Sequence, residues 1–391
     1  MVPAVSSASS SGWACRKSRL RIVVPLWRTV VPVRITHVSD CFVPRTGGIE
    51  SQVLGLTRAQ HAAGDQVRVI TATSGPQFLE FPVDRLSFPV PFDLPVHPRT
   101  YREVTRLLKV SRPEVVHVHA GVLSPFAWSA TRAAYDLGIP ILVTIHSVWG
   151  PLARPAFSVI GSWLKWNRVA MSAVSEVAAE HMRASLGVEV DLVPNGIDPS
   201  LWSRAGVADW NAAPLQLVSV LRLAPRKRTG ALLRVMEELR NLEVAAPLNI
   251  VGDGPERALW ERRARRADLP ITFLGRLAPV ELKLVLDRSQ VFVQPSVKES
   301  FGIAALEARA NGLAVVARSG TGTHTFIADG INGRICENDI SMAIAISEWN
   351  SDRQALREIL EHNCHVPPSY SWKEIDYRVR AAYHRALTLG H

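Results

Sequence analysis

The sequence has few cysteines and no long apolar run. Its four cysteines, in a chain of 391 residues, are scattered and form no C-x-x-C pair. Neither a disulfide framework nor a zinc site is therefore indicated, and a reducing cytoplasm fits best. No stretch reaches the roughly 18 uninterrupted apolar residues of a membrane-spanning helix. The segment that comes nearest, from Ile22, is interrupted by Pro25, Arg28 and Pro32.

The motifs of the common nucleotide-binding folds are also missing. There is no G-x-G-x-x-G, which binds dinucleotides, and no G-x-x-x-x-G-K-[ST], which binds nucleoside triphosphates. No acidic D-x-D cluster follows a predicted strand. These absences argue against a dehydrogenase, against an NTPase and against a metal site built on paired aspartates.

Positive charge is concentrated in a short N-terminal segment. The formal net charge is +10, from 45 basic and 35 acidic residues, and residues 1–32 hold five of the basic residues and no acid. The remainder is mildly basic and lacks the signatures of a dedicated nucleic-acid binder, while an anionic membrane surface or a phosphorylated substrate stays compatible with it. Because residues 1–32 show neither helix nor strand periodicity and no signal-peptide cleavage site, we predict a disordered leader.

Short apolar runs alternate with helical patterns from Val33 onwards. Near-continuous β-branched runs separated by helices are typical of a parallel sheet covered on both faces. The cycle starts twice, which predicts an α/β protein of two doubly wound Rossmann-like domains facing across a cleft, with ligands at the carboxyl ends of the strands. The predicted strands are 33–39, 67–71, 115–119, 141–146 and 169–175, then 215–221, 248–254, 271–275, 291–296 and 313–318. The predicted domains are 33–205 and 206–372, and 373–391 is predicted to be a helix that crosses back to the first domain.

A glycine pair follows the first predicted strand. Gly47 and Gly48 precede a helix predicted from Ile49. Backbone amides without side chains can approach an anion closely at the positive end of a helix dipole. Tight strand-to-helix turns use glycine as well, so the pair alone leaves both interpretations open.

Two acids bracket a second predicted helix start in KESFGIAALE. The helix is predicted to begin near Phe301 or Gly302, with Glu299 in the preceding loop and Glu307 about two turns along. Eight residues span about 12 Å on a helix axis, close to the separation of ribose and sugar in a nucleoside diphosphate sugar. One acid can accept hydrogen bonds from each, while free amides at the helix start face the diphosphate.

Two basic residues follow the first strand of the second domain. Arg222 and Lys227, in RLAPRK, flank a loop and can reach one anion together, the first as a fork and the second as a point charge. A solvated basic loop is the structural alternative.

With these motifs the sequence resembles the family-four, retaining glycosyltransferases of the GT-B fold. The matching elements, in order, are the glycine pair (47–48), TIHS (144–147), SAVSE (172–176), VPNGID (193–198), RLAPRK (222–227), VGDGPER (251–257), FLGRL (273–277), ESFGIAALE (299–307) and YSW (370–372). The resemblance implies transfer of mannose, glucose or N-acetylglucosamine from a nucleotide sugar to a lipid, polyol or saccharide, with retention and without a metal or other cofactor. The first domain would bind the acceptor and the second the nucleotide sugar.

The resemblance also implies the role of individual residues. Arg222 and Lys227 would bind the diphosphate, Glu307 the ribose and Glu299 the transferred sugar, and His146 would lie by the reaction centre of the sugar. The implied donor-binding set is Gly47, Gly48, Arg222, Lys227, Glu299, Phe301, Gly302, Ile303 and Glu307. The implied catalytic set is His146, Arg222, Lys227 and Glu299. Residues 319–330 depart from the pattern of the family, which leaves the identity of the donor sugar open.

Other interpretations remain beside the transferase. A nucleotide-sugar 2-epimerase shares the architecture, and a non-catalytic nucleotide-sugar binding protein is the second alternative. Arginine outnumbers lysine 38 to 7, which suggests a GC-rich genome and makes a lipid mannosyltransferase a candidate. We expect a cytoplasmic protein. Trp163 and Trp166, in SWLKWNR, suit a peripheral contact with the inner face of an anionic membrane, whereas packing of the two tryptophans in a helical bend is the favoured alternative. His117 and His119 are expected to face opposite sides of their strand, so no metal site is predicted there.

Overall fold

The structure is a computed structural model, and it describes residues 32–88, 97–121, 124–148, 154–167 and 169–389. The predicted leader therefore lies almost wholly outside the described residues. None of the helices in these ranges combines the length and the apolar character needed to cross a membrane.

Two parallel sheets organise the described chain. The first has the strand order β3-β2-β1-β4-β5-β6-β7 and the second the order β10-β9-β8-β11-β12-β13. The strands of the first sheet are β1 Arg34–Ser39, β2 Gln66–Thr71, β3 Val83–Arg85, β4 Val115–Ala120, β5 Ile141–Ile145, β6 Ala170–Ala173 and β7 Asp191–Leu192. Those of the second are β8 Leu217–Val220, β9 Leu248–Val251, β10 Ile271–Gly275, β11 Val291–Gln294, β12 Ala314–Arg318 and β13 Gly333–Cys336. Each sheet reverses its order beside its first strand, as in doubly wound nucleotide-binding folds. The predicted fold of two Rossmann-like domains is confirmed.

Helices cover both faces of each sheet. In the first domain these are α1 Gly48–Ala62, α2 Thr100–Ser111, α3 Pro125–Asp136, α4 Arg154–Trp166 and α5 Glu176–Leu186. A short helix, α6 Pro199–Trp202, precedes the second domain. The second domain has α7 Thr229–Asn241, α8 Arg257–Arg266, α9 Pro279–Asp287, α10 Ile303–Ala310, α11 Asp339–Ser351 and α12 Arg353–His365, followed by α13 Trp372–Leu389.

Burial on both faces explains why the central strands read as continuous apolar runs. Every residue of β4, with the sequence VVHVHA, is buried. A strand covered on both sides has no solvent-facing positions, so the usual alternation of polar and apolar residues is absent. The two histidines in this strand are therefore buried polar groups that need hydrogen-bond partners.

The last helix returns to the first domain. α13 packs against α1, β5 and β6, and its buried residues Ile375, Val379, Ala382 and Tyr383 recur at helical spacing. At its start, Trp372 lies against Gly55 of α1 and Gly196, where a Cβ would clash with the indole. The helix thus brings polar side chains such as Asp376 beneath the first sheet.

Candidate active site

Lys227 and Glu299 form an ion pair at the carboxyl ends of neighbouring strands. Lys227 ends a 3-10 turn (Pro225–Lys227) after β8, and Glu299 lies in the loop after β11. Strands β8 and β11 are paired in the sheet, which brings these loops together. Lys227 Nζ donates to Glu299 Oε2 at 2.7 Å, with side chains 25% and 11% exposed. The lysine is thus held in place and still reaches solvent, where it can meet an anion.

Arg222 supplies a second cation on the same loop. It is exposed, and its guanidinium makes no hydrogen bond or ion pair to any residue that the structure describes. A free guanidinium can bind a phosphate with two parallel hydrogen bonds. Arg222 and Lys227 together therefore offer a fork and a point charge to one anion.

Glu299 is fixed from two further sides. Gln294 Nε2, at the end of β11, donates to Glu299 Oε2 at 3.2 Å. The amide of Gly322 donates to the Glu299 carbonyl at 2.8 Å, so the loop around residues 319–325 packs directly behind it. Within that loop Thr321 and Thr323 are buried and their hydroxyls lie 2.6 Å apart. The segment that departs from the family pattern is therefore a support of the Glu299 loop.

Helix α10 begins at Ile303, one or two residues later than predicted. Gly302 is its N-cap, with φ 93° and ψ 57°, and a Cβ there would lie 2.8 Å from Thr323 Cγ2. Both the left-handed backbone and the close approach require glycine. Phe301 is fully buried, and in the described structure the amides of Phe301, Gly302 and Ile303 donate to no other group. Free amides at a helix start are suited to an anion.

Glu307 lies only one turn into α10, not two as predicted. Of the residues from Glu299 to Glu307, only the last five, 303–307, are helical. The distance of about 12 Å, which assumed a continuous helix between the two acids, therefore does not apply. Glu307 is partly exposed, yet its carboxyl has no hydrogen bond or ion pair with any described residue. Desolvation by burial raises the pKa of Glu307 from 4.5 to about 8. A carboxyl without partners at the surface of a cleft is suited to bind a polar ligand.

The glycine pair of the first domain faces α10 of the second. α1 begins at Gly48, Gly47 is its N-cap, and a Cβ on Gly48 would lie 3.3 Å from Ile303 Cδ1. The pair therefore lies where two helix starts from different domains meet. No side chain larger than glycine fits here without movement.

Glu50 was not predicted as a site residue, and it lies beside this glycine pair. It is buried in the first turn of α1 and its Oε1 lies 3.4 Å from Arg45 Nε. Burial raises its pKa, against the opposing effects of its own amide, Arg45 and Arg222. Arg222, in the other domain, is thus near enough to Glu50 to favour its charged form without forming an ion pair. The pattern GGIE at a helix start was the available signal.

His146 follows β5 and contacts the Glu299 loop through its backbone. Ser300 Oγ donates to the His146 carbonyl at 2.7 Å, and Ser175 Oγ donates to the Ser300 carbonyl. Burial lowers the pKa of His146 to about 4, and the neighbouring Asn195 side chain opposes this effect. The ring is therefore neutral throughout the physiological pH range.

His117 and His119 lie on the same side of β4, so the expectation of opposite sides was wrong. Their ring centroids are 4.0 Å apart. Side chains alternate along a strand, which puts residues two positions apart on one face. His37 of β1 joins them, and ring nitrogens of the three histidines lie within 4.8 Å of one another.

Two features lie apart from this site. A surface hollow of about 570 Å³ is lined by Arg183, Glu189 and Arg385, and none of the predicted site residues lines it. In α4, Trp163 packs against Tyr135 at 5.4 Å between ring centroids, whereas Trp166 is 87% exposed. Trp163 is partly buried, so Trp166 is the more available of the two to an external surface.

The fold and the charged set define a glycosyltransferase of the GT-B fold, with two Rossmann-like domains. Residues 46–201 match the family model described as Glycosyltransferase Family 4, and residues 207–365 match that described as Glycosyl transferases group 1. The chain belongs to this family of group 1, family 4 glycosyltransferases.

Similar proteins agree with this assignment, and a solved structure agrees with the fold. The chain is 25% identical to a phosphatidylinositol N-acetylglucosaminyltransferase component of Arabidopsis thaliana, over 91% of the chain and 82% of that protein. It is 27% identical to phosphatidyl-myo-inositol mannosyltransferase of Mycolicibacterium smegmatis, over 88% of the chain and 92% of that protein. The structure of Alr3699/HepE from Anabaena in complex with UDP has a TM-score of 0.73 at 15% identity, covering 89% of this chain and 98% of that one.

Proposed function

We propose that this glycosyltransferase moves a hexose from a nucleoside diphosphate sugar to a lipid, polyol or saccharide, with retention and without a metal ion. The observation that carries the proposal is the Lys227–Glu299 ion pair at 2.7 Å, beside the exposed, unpaired Arg222. Two cations and an acid in one loop cluster are suited to a molecule that joins a diphosphate to a sugar.

The donor would lie along the start of α10. The diphosphate would meet Arg222, Lys227 and the free amides of residues 301–303, with Gly47 and Gly48 close on the other side. Glu299 would accept hydrogen bonds from the transferred sugar, and Glu307, further along the helix, from the ribose. His146 would lie beside the sugar. All these side chains are polar groups at the carboxyl ends of parallel strands or at the helices that follow them.

Charge stabilisation would supply most of the catalysis. As the bond to the anomeric carbon breaks, negative charge grows on the departing diphosphate, and the two cations would stabilise it. The nucleotide would leave from the face that the acceptor approaches, and configuration would be retained. The two basic side chains would take the role that a metal ion has in other sugar transferases.

Within this proposal, the acceptor is a lipid and the transferred sugar is mannose. The names of the two characterised relatives both state a phosphatidylinositol acceptor, and one of them states mannose. The exposed Trp166, beside Lys165 on α4, would suit a peripheral contact with the inner face of an anionic membrane. The protein would then act on the cytoplasmic side.

A thermal-shift panel of nucleotide sugars in excess chelator tests the proposal. A ligand that binds only the folded state raises its melting temperature by mass action. We expect one sugar nucleotide to do so without metal, and transfer from it to proceed in chelator. Arg222→Ala should lose most of the shift, while the matched control Arg226→Ala, an exposed arginine on the same loop, should keep it. Turnover that vanishes on chelation and returns with manganese would contradict the proposal.

A further inference from the structure

A continuous chain of buried side chains links α13 to His146. Gln60 Nε2 donates to Asp376 Oδ1 at 3.1 Å, and Gln60 Oε1 lies 2.8 Å from His37 Nε2. His37 Nδ1 lies 3.0 Å from His119 Nε2, and His119 Nδ1 lies 3.1 Å from His146 Nε2. Two strands of the first sheet (β1 and β4), the residue that follows β5 and two helices (α1 and α13) contribute to this one chain.

Asp376 determines the direction of every hydrogen bond in this series of side chains. Asp376 is paired with Arg380 and accepts only, so the amide nitrogen of Gln60 must face it and the amide oxygen must face His37. His37 therefore donates from Nε2. A neutral imidazole that donates from one nitrogen accepts at the other, so His119 donates from Nε2 to His37. By the same step His146 donates from Nε2 to His119.

The rings are neutral, as this assignment requires. Burial lowers the pKa of His37 to about 4 and that of His146 to about 4. Burial, together with the neighbouring imidazoles, lowers the pKa of His119 well below its usual value. Each ring therefore carries one proton. While Gln60 donates to Asp376, the hydrogen bonds allow only one set of tautomers for the three rings.

We propose that Gln60, His37 and His119 are positioning residues that hold His146 in the Nε2–H tautomer, so that its Nδ1 can accept a hydrogen bond from a hydroxyl of the donor sugar, in competition with the neighbouring Asn195 side chain. The inference rests on the proposed function, in which His146 lies beside the transferred sugar. A hydroxyl bound to a fixed acceptor holds the sugar in the geometry that the reaction needs. Loss of the chain would let the ring rotate or exchange tautomers.

A metal ion is the competing explanation for this cluster. His37, His117 and His119 have ring nitrogens close enough to share an ion. However, both nitrogens of each ring already have a hydrogen-bond partner: for His117 these are Tyr383 at 2.9 Å and Thr144 at 2.7 Å. A fully satisfied polar network is stable without a metal, whereas a metal would have to displace these bonds.

His117 provides a matched control. It lies two residues from His119 on β4, is equally buried, and makes two side-chain hydrogen bonds. It lies outside the direct path from Asp376 to His146 and is linked to that path only through the Tyr383 hydroxyl, which lies 2.9 Å from His117 Nδ1 and accepts from Gln60 Nε2 at 3.3 Å. A leucine at either position removes two hydrogen bonds from the same region, so the loss of stability should be similar.

The experiment compares His119→Leu with His117→Leu in the full-length protein. We expect His119→Leu to lower kcat by about tenfold or more with the KM for donor within about twofold, since positioning acts on the reacting geometry. His117→Leu should leave kcat within about twofold. Equal losses of kcat in the two variants would overturn the proposal.

Nitrogen-15 NMR of the histidine rings tests the tautomer directly in the wild-type protein, even if the leucine variants do not fold. The signals of His146 are identified by their loss in His146→Ala. We expect the proton on Nε2, and a proton on Nδ1 would overturn the proposal. Stoichiometric zinc in the purified protein would overturn it as well.

The role of His146 in transfer and the role of the positioning residues can be refuted separately. If His146→Ala keeps wild-type turnover, the proposed role of His146 in transfer is wrong, whatever the tautomer. If His146→Ala is inactive but the ring is protonated on Nδ1, the transferase role stands and the positioning chain is refuted.

Discussion

Glu307→Gln should remove a pH-dependent loss of stability. The carboxyl of Glu307 is desolvated and has no partner among the described residues, and its pKa rises from 4.5 to about 8. Between these two values the folded state binds a proton that the unfolded state releases. Stability contributed by that proton is fully present below about pH 4.5 and is lost as the pH rises towards 8.

The magnitude follows from the size of the shift. Each pH unit within this window costs up to about 1.4 kcal/mol of unfolding free energy. Partial exposure of the side chain reduces this, so we expect about 1 to 3 kcal/mol between pH 5 and pH 7.5. Glutamine resembles the protonated acid in shape and cannot ionise. The variant should therefore gain a few degrees in melting temperature over the wild type at pH 7.5, and little at pH 5.

The assay is thermal unfolding of both proteins at a series of pH values. Glu180→Gln, which changes an exposed glutamate on α5, is the matched control and should show no such divergence. Parallel pH profiles for wild type and Glu307→Gln would show that Glu307 is ionised at neutral pH and would refute the reasoning.

The raised pKa of Glu307 also determines how donor affinity depends on pH. One unit below its pKa, about nine tenths of Glu307 is protonated at pH 7. If the ribose hydroxyls require the carboxylate, the donor must first displace this proton, and wild-type affinity should rise towards pH 8 and then level off. Glu307→Gln should lack that rise and lose about 1 to 3 kcal/mol of donor binding at high pH. A variant that binds donor like the wild type at pH 8.5 would refute the ribose assignment.

Two further predictions concern the diphosphate and the turn before α10. Lys227→Ala should lower kcat by about 10- to 150-fold, which corresponds to about 1.5 to 3 kcal/mol for a charged hydrogen bond. The donor dissociation constant should change less, because negative charge on the leaving group grows only in the transition state. Equal effects on both constants would show that the lysine contributes only to binding. Gly302→Ala should destabilise the protein by about 1 to 3 kcal/mol through the left-handed backbone and the contact with Thr323. Thr323→Ser in the same chain removes the clashing methyl group and keeps the hydroxyl that contacts Thr321, so thermal unfolding should show partial recovery; no recovery would mean that backbone strain alone is responsible.

Most of the strands that could be predicted from the sequence are those whose composition reflects burial on both faces, and β10, at a sheet edge, is the exception. β4 is an example, because its β-branched residues and its burial coincide. The three strands that were missed, β3, β7 and β13, are all at sheet edges. β7 has only two residues, Asp191 and Leu192, and β13 has the sequence GRIC. Such segments become strands because a neighbour offers hydrogen bonds, and pairing of this kind is not visible in local composition.

The sequence allowed the residues of the candidate site to be predicted, but not the contacts between them. Lys227 and Glu299 were assigned to different parts of the donor, whereas the structure pairs them with each other. Their contact depends on β8 and β11 being adjacent, although 72 positions separate the two residues in sequence. Glu50 was missed for a similar reason, because its electrostatic partner Arg222 belongs to the other domain.

The register of the first sheet explains why the histidine chain needs the tertiary structure. His37 is the direct partner of His117 across β1 and β4, and His119 is the partner of Thr144 across β4 and β5. Side chains on one face of adjacent strands are about 5 Å apart, so this register aligns the rings of β1 and β4, and the series ends at His146, directly after β5. A shift of one residue in β1 would turn His37 to the opposite face and break the chain. The arrangement around His146 therefore depends on strand pairing as much as on the residues of the active site, and α13 completes it from the end of the sequence through Asp376.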